Sequence, residues 1–169
     1  DGFLRAVEGL APRRSMALIS VGLAPGLTNI MAAWGAARLD RIERIDIGLL
    51  FGLGDRHGEA AIGWLADCIF DRARDRRVVD MAFGFGAGRR TLHAVDFSDQ
   101  HSLARTLPTD AAWTGVAFES RLATTALFGM GRAFAGSRLM RDASAAVMKR
   151  LRFGSPLCNA SVAVSGWSK

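Results

Sequence analysis

The segment Gly22–Asn29 carries the residues best suited to hold a charged group. It reads Gly-Leu-Ala-Pro-Gly-Leu-Thr-Asn, and because proline fixes φ while glycine permits a positive φ, a tight corner is predicted. Thr28 is a good N-cap for a helix over 29–39, whose free amides attract a carboxylate or phosphate. An ordinary strand–helix connection explains the same pattern. The backbone amides where the helix begins, at Thr28 and Asn29, are the candidate anion-binding groups.

A second glycine-rich segment, Gly52–Gly58, contains an acid–histidine pair. A carboxylate two residues from an imidazole tunes its pKa for proton transfer, so Asp55 and His57 are candidate catalytic residues. In the alternative interpretation, Asp55 caps the following helix and His57 is exposed. The segment also resembles a dinucleotide-binding loop, with Asp80 as the ribose-binding acid. Its spacing is one residue longer than that fingerprint and Asp55 would repel phosphate, so we favour a turn with another purpose.

Further catalytic signatures are missing from the sequence. His93 and His101 have no Cys or His at metal-ligand spacing, so we predict two surface histidines and no metal site. There is no Gly-x-Ser-x-Gly elbow, no P-loop and no His-Glu-x-x-His, and the chain has no tyrosine. The two cysteines, Cys68 and Cys158, cannot form a disulfide framework, and they favour a reducing, cytoplasmic location.

The apolar periodicity predicts the elements that must position these residues. Strands are predicted over 16–21, 42–51, 78–83, 90–97, 113–120 and 157–167. Helices are predicted over 2–10, 29–39, 59–71, 121–135 and 137–151. The strand over 42–51 turns continuously apolar, as is typical of a central strand, and 78–97 reads as a hairpin. The stretch 96–109 is polar, and no element is assigned to it. We therefore expect an α+β fold: a largely antiparallel or mixed sheet of about six strands, with helices packed mainly on one face.

Composition limits the class of protein. With 169 residues, half of them hydrophobic and 22% charged, the chain can bury the core of one domain, and disorder is excluded. No apolar run is long enough to span a membrane. The net charge is +6, and all but two of the 22 basic residues are arginine. One basic cluster has Asp142 as its only acidic neighbour along the chain, and it represents either a phosphate-contacting surface or a solvated helical face. Its members are Arg132, Arg138, Arg141, Lys149, Arg150 and Arg152.

Residues 19–33, Ile-Ser-Val-Gly-Leu-Ala-Pro-Gly-Leu-Thr-Asn-Ile-Met-Ala-Ala, resemble the saccharopine dehydrogenase-like family of NAD(P)-dependent oxidoreductases. In that family a G-x-x-P-G-[LI]-[ST]-[NH] element opens the domain that follows the Rossmann half. Residues 45–64 look like the next strand–loop–helix of bacterial members, and 116–125 and the closing strand fit the same order. The similarity covers most of the chain. Several relatives have Asp where this chain has Ala24, so the resemblance does not imply an amino-acid substrate.

The resemblance implies that residues 1–169 form a single domain, the C-terminal substrate and dimerisation domain of a longer enzyme. NAD or NADP would be bound mainly by a missing N-terminal Rossmann domain, with no cofactor site in this chain. Pro25, Gly26, Thr28 and Asn29 would then face the substrate cleft near the nicotinamide, with Asp55 and His57 as weaker candidates. We expect a parent oxidoreductase with a small-molecule substrate, a homodimer, no membrane association, and no activity from this chain alone.

Two alternatives belong to other classes of protein. The first is a non-enzymatic homodimerisation module whose open sheet buries Trp113, Leu157 and Val162 between two chains. The second is a small nucleic-acid-binding domain that uses the basic cluster in 132–152, for which a steep salt dependence is expected.

Overall fold

The computed structural model describes residues 21–54, 58–84, 86–109, 111–150 and 159–167. Its helices are α1 (Thr28–Ala36), α2 (Glu59–Phe70), α3 (Ser98–Thr106), α4 (Arg121–Ala133) and α5 (Arg138–Arg150). Its strands are β1 (Arg41–Phe51), β2 (Val78–Phe83), β3 (Gly88–Ala94), β4 (Ala112–Phe118) and β5 (Asn159–Trp167). The predicted α+β class is confirmed.

The strands form one mixed sheet in the order β2-β3-β4-β1-β5. β1 is parallel to β4 and antiparallel to β5, while β3 is antiparallel to both β2 and β4. β1 lies between two neighbours, and its second half is buried without interruption, as its continuous apolar run predicted. The predicted hairpin of β2 and β3 is also confirmed.

The sheet is curled, so that its two edge strands approach each other. Ser161 on β5 donates a hydrogen bond from its Oγ to the carbonyl of Ala82 on β2, at 3.1 Å. The concave side encloses a core built from strand residues alone: Leu50, Met81, Phe83, Leu92, Ala94, Trp113 and Ala117. Gly48 and Gly115, adjacent on β1 and β4, leave the space that these side chains fill.

The other side of the sheet carries the helices. Its core combines Ile45, Ile47 and Leu49 of β1 with at least one apolar residue from each of α1, α2, α3 and α4, and Met140 and Met148 of α5 pack against it. All five helices thus share one face, as expected. Within the described chain, no helix is both long and apolar enough to cross a bilayer.

The described residues differ from the predicted elements in three places. They contain five strands rather than about six. The strand predicted over 16–21 lies outside them except for its last residue, and the helix predicted over 2–10 lies wholly outside them. The polar stretch contains α3, whose buried residues are Asp99 and Leu103, one helical turn apart. Only one of these two is apolar and the helix is polar overall, so few apolar residues mark its buried face in the sequence. The strand predicted over 90–97 ends at Ala94, because the chain turns there towards α3.

Candidate functional site

The segment Gly22–Asn29 forms the corner that its sequence predicts. The amide of Leu27 donates to the carbonyl of Gly22 at 2.9 Å, and Gly26 between them has a φ of 139°. That conformation favours glycine. The peptide bond before Pro25 is cis. The corner leads directly into α1, whose first residue is Thr28.

Thr28 is not the N-cap that the sequence predicts. Its side chain is fully buried, and its Oγ1 lies 3.2 Å from the carbonyl of Leu23 and forms a second hydrogen bond with the carboxyl of Asp99, 71 residues further along the chain. A hydroxyl has a single proton to donate. A protonated Asp99 therefore allows both bonds at once, which connects the corner to the first turn of α3.

Burial raises the pKa of Asp99, with the Thr28 hydrogen bond acting in the opposite direction. Its second oxygen, Oδ2, is enclosed and has no hydrogen-bond partner among the described residues. The same holds for Oδ1 of the neighbouring Asn29. An enclosed carboxyl oxygen without a hydrogen-bond donor favours the neutral, protonated acid.

The other predicted site residues take different positions. Pro25, Gly26 and Asn29 are half-buried in the corner, beside the buried Thr28. Their role in substrate binding stays a prediction. Asp55 and His57 lie outside the described residues. The residue that precedes α2 is Gly58 rather than Asp55.

The topology argues against a dinucleotide loop at Gly52–Gly58. In a dinucleotide-binding unit, the strand, loop and helix are followed by a parallel neighbouring strand. Here β1 and α2 are followed by β2, which is at the far edge of the sheet and antiparallel to β3. Asp80 on β2 instead accepts a hydrogen bond from Thr91 Oγ1 on β3 at 2.6 Å.

An apolar cavity of about 780 Å³ lies between α2, α4 and α5 and reaches the carboxyl ends of β1 and β4. Leu53, Trp64, Leu127, Met130 and Val147 are among the side chains that line it. Ser120 lies at the end of the cavity near β4. Its Oγ caps α4 by accepting a hydrogen bond from the amide of Ala123 at 3.2 Å. A cavity of this size and character suits the apolar part of a small molecule.

A second cavity, of about 740 Å³, has a mixed lining that includes several charged side chains. We call it the arginine cleft; its walls include Cys68, Arg74, Arg77, Asp96, Trp113 and Arg138. It lies at the amino end of β4, where the loop after α2, the turn after β3 and the start of α5 meet. Burial raises the pKa of the Cys68 thiol to about 11, so this cysteine stays protonated and unreactive at neutral pH.

His93 is not the surface histidine that the sequence predicts. Its ring stacks on Phe128 of α4, with centroids 4.2 Å apart, on the helix-covered side of the sheet. Burial lowers its pKa, and the positive charge of Arg74 lowers it further. It is therefore neutral at pH 7. His101 is half-buried, with Nε2 2.6 Å from Asp96 Oδ1.

The basic cluster is partly neutralised by residues that the sequence does not place near it. Arg141 Nη1 lies 3.1 Å from Asp67 Oδ1 as well as pairing with Asp142, and Lys149 Nζ lies 3.3 Å from Glu59 Oε2. These pairs do not favour a continuous phosphate-binding surface. Among the described residues, no group of three or more His, Cys, Asp or Glu side chains is placed to hold a metal ion.

Trp113 does not lie on an open sheet face. Only 3% of it is exposed, and its ring covers Gly115 inside the curled sheet. The dimerisation alternative that buries Trp113 between two chains is therefore wrong in this detail, because the tryptophan is already buried within one chain. Val162 packs against the helix-side core, and Leu157 lies outside the described residues.

Sequence reasoning did not identify the arginine cleft. The run Asp71–Arg77 appears as alternating charge, which is typical of a solvated surface. Its partners Gln100, Trp113 and Arg138 are distant in sequence, and no local pattern brings them together.

Comparison with known proteins identified no relative of this chain: no protein-family model, no curated protein and no solved structure matches it.

Proposed function

We propose that this chain is the substrate-binding and dimerisation domain of an NAD(P)-dependent oxidoreductase of the saccharopine dehydrogenase-like kind. One observation carries the proposal: the segment that resembles the family element is a closed corner whose glycine, Gly26, has a φ of 139°. A backbone that requires glycine at that place gives the motif a structural reason. The bond between Thr28 and Asp99 then anchors the corner to the rest of the domain.

The cofactor belongs, on this proposal, to a Rossmann domain encoded elsewhere in the parent gene. Within the described residues, the strand–loop–helix unit at β1 has the wrong successor strand for a dinucleotide, and so no step is assigned to a cofactor held here. The domain contributes substrate contacts at the corner, through Pro25, Gly26 and Asn29. The bound NAD(P) would supply hydride transfer from the facing domain.

We expect NADH and NADPH to bind the product of the full-length parent gene but not this 169-residue chain. The reason is that the strand after β1 and α2 is β2, which lies at the far edge of the sheet and is not a parallel neighbour of β1, as the second strand of a dinucleotide-binding unit would be. Isothermal titration of both proteins with both nucleotides measures this directly.

Saturable binding of either nucleotide by the 169-residue chain alone, if it is retained in the Arg74→Gln variant, would overturn the assignment. A parent gene with no strand–G-x-G-x-x-G–helix unit would overturn it as well.

The dimerisation half of the proposal is supported by an apolar stripe on the corner and α1. Leu27, Ile30, Met31 and Trp34 follow the i, i+3, i+4, i+7 spacing of one helix face, and between 38% and 66% of each is exposed. α1 also packs beside the edge strand β5, where Trp167 is exposed. We propose that a second copy of the chain covers this stripe.

We expect the native chain to be a dimer and Ile30→Glu to be a monomer with a native circular dichroism spectrum, because a carboxylate cannot be buried without a partner. Light scattering coupled to size exclusion gives the mass of each. Leu122→Glu is the matched control, since Leu122 is equally apolar and 79% exposed on α4; it should stay dimeric. A monomeric native chain, or a dimer that tolerates Ile30→Glu, would rule out this interface.

A further inference from the structure

The arginine cleft contains cationic and N–H donors that nothing in the described chain satisfies. Arg74 lines the cleft, and its Nη1 is enclosed without a hydrogen-bond acceptor in the described residues. Trp113, only 3% exposed, lines the same cleft, and its Nε1 likewise has no acceptor among them. Buried donors without acceptors are rare in folded proteins, since each loses its hydration and gains nothing in return.

The acidic groups that line the cleft contact residues other than Arg74. Asp71 accepts a hydrogen bond from the amide of Ala73 at 2.9 Å. Asp67 pairs with Arg141, and Asp75 lies 3.8 Å from Arg77. Asp96 accepts from Gln100 Nε2 at 2.9 Å and contacts His101. Within the described residues, none of these carboxylates forms an ion pair with Arg74.

The surroundings of Arg74 hold it in place. Its guanidinium lies over the Phe128 ring, 5.2 Å from the centroid. Burial, and then the neighbouring Arg76, lower the pKa of Arg74, and the smaller opposing effects of Asp71 and Asp75 do not restore it. Arg138 also lines the cleft and is exposed at the start of α5. Like Arg74, it has no ion-pair partner within the described chain.

We propose that the arginine cleft binds a small molecule through an oxyanionic group, a carboxylate or a phosphate, with Arg74 as its main contact. Guanidinium and indole groups donate hydrogen bonds and do not accept them, so an acceptor-only, negatively charged group matches them. A volume of about 740 Å³ is larger than one anion needs, which leaves room for the rest of a small ligand. This site is independent of the proposed oxidoreductase function.

Titration calorimetry of the whole chain with inorganic phosphate and with succinate tests the proposal and separates the two anion classes. Runs are made at constant ionic strength against sodium chloride, so that general screening cancels. We expect saturable binding of at least one anion. Arg74→Gln should weaken it roughly 10- to 100-fold, the loss of a charge-assisted hydrogen bond.

Arg76→Gln is the matched control, because Arg76 carries the same charge, lies two positions from Arg74 and is not among the residues that line the cleft. The anion affinity of this variant should stay within about twofold of that of the native chain, since charge effects from exposed residues are small. Arg138→Gln is a second cleft variant on an exposed side chain, where loss of folding is not expected, and it should also weaken binding. Equal losses in Arg74→Gln and Arg76→Gln would show diffuse attraction and overturn the proposal, as would the absence of saturable binding of either anion. Neither result bears on nucleotide binding by the full-length product, so the two proposals fail separately.

Discussion

Replacement of Gly48 by valine is expected to destabilise the domain by several kcal/mol, and replacement by alanine by about 1–3 kcal/mol. A β-carbon at this position would lie 2.6 Å from Met81 Sδ, 2.7 Å from Leu92 Cδ1 and 3.0 Å from Phe83 Cζ. These atoms fill the concave side of the curled sheet and are enclosed by the approach of β5 to β2. Because the space is closed, the extra atoms can be accommodated only by opening the curl.

Gly115 should behave in the same way. A β-carbon there would meet the ring of Trp113, whose Cζ3 atom would be 2.7 Å away. Gly48 and Gly115 are register partners, so the two glycines lie side by side on adjacent strands of the sheet. We therefore expect the effects of the two substitutions to be non-additive, since both displace one continuous cluster of side chains.

Denaturant unfolding followed by circular dichroism measures these changes, and two glycines of one helix provide the control. A β-carbon on Gly129 meets nothing within 4 Å, so Gly129→Ala should stabilise α4 by about 1 kcal/mol. A β-carbon on Gly131, two residues later, would collide with the backbone carbonyl of Ile69 on α2, so Gly131→Ala should destabilise. A Gly48→Ala variant as stable as Gly129→Ala would contradict the closed packing described above.

The second large effect concerns the buried pair of Asp99 and Thr28. Because burial raises the pKa of Asp99, the folded state holds this proton more tightly than the unfolded state does. Stability contributed by this group is therefore greatest below the unfolded carboxyl pKa of about 3.9 and is lost as the pH rises through the raised folded value. The Asp99→Asn variant cannot ionise at this position. Its free energy of unfolding should therefore increase relative to that of the native chain between about pH 4 and pH 7.

Thr28→Val tests the same pair from the other side. Valine keeps the shape but removes the hydroxyl, which leaves the Asp99 carboxyl with one more unpaired oxygen and should cost about 1–3 kcal/mol. Thr28→Ser keeps the hydroxyl and is the control. Thermal unfolding of the four proteins across this pH range separates the effects; parallel pH profiles for Asp99→Asn and the native chain would show that Asp99 does not titrate as described.

Local pattern was enough for most of the elements. The helices α1, α2, α4 and α5 and the strands β1 to β5 were predicted within a few residues, because each carries the apolar spacing of its own geometry. α3 was missed because its inward face is one carboxyl and one leucine. The corner at Gly22–Asn29 was predicted from proline and glycine, but the role of Thr28 was not, since its partner is 71 residues away.

What the sequence by itself determined is the α+β class, the order of the elements and the central position of β1, all of which follow from backbone preferences and local burial patterns. The tertiary structure decided the rest. It encloses Trp113 within the curled sheet and pairs Thr28 with Asp99. It also stacks His93 on Phe128 and brings Arg74, Trp113 and Arg138 to the wall of one cleft. Each of these depends on which distant residues share a buried volume, and burial is a property of the packed chain that no short stretch of residues contains.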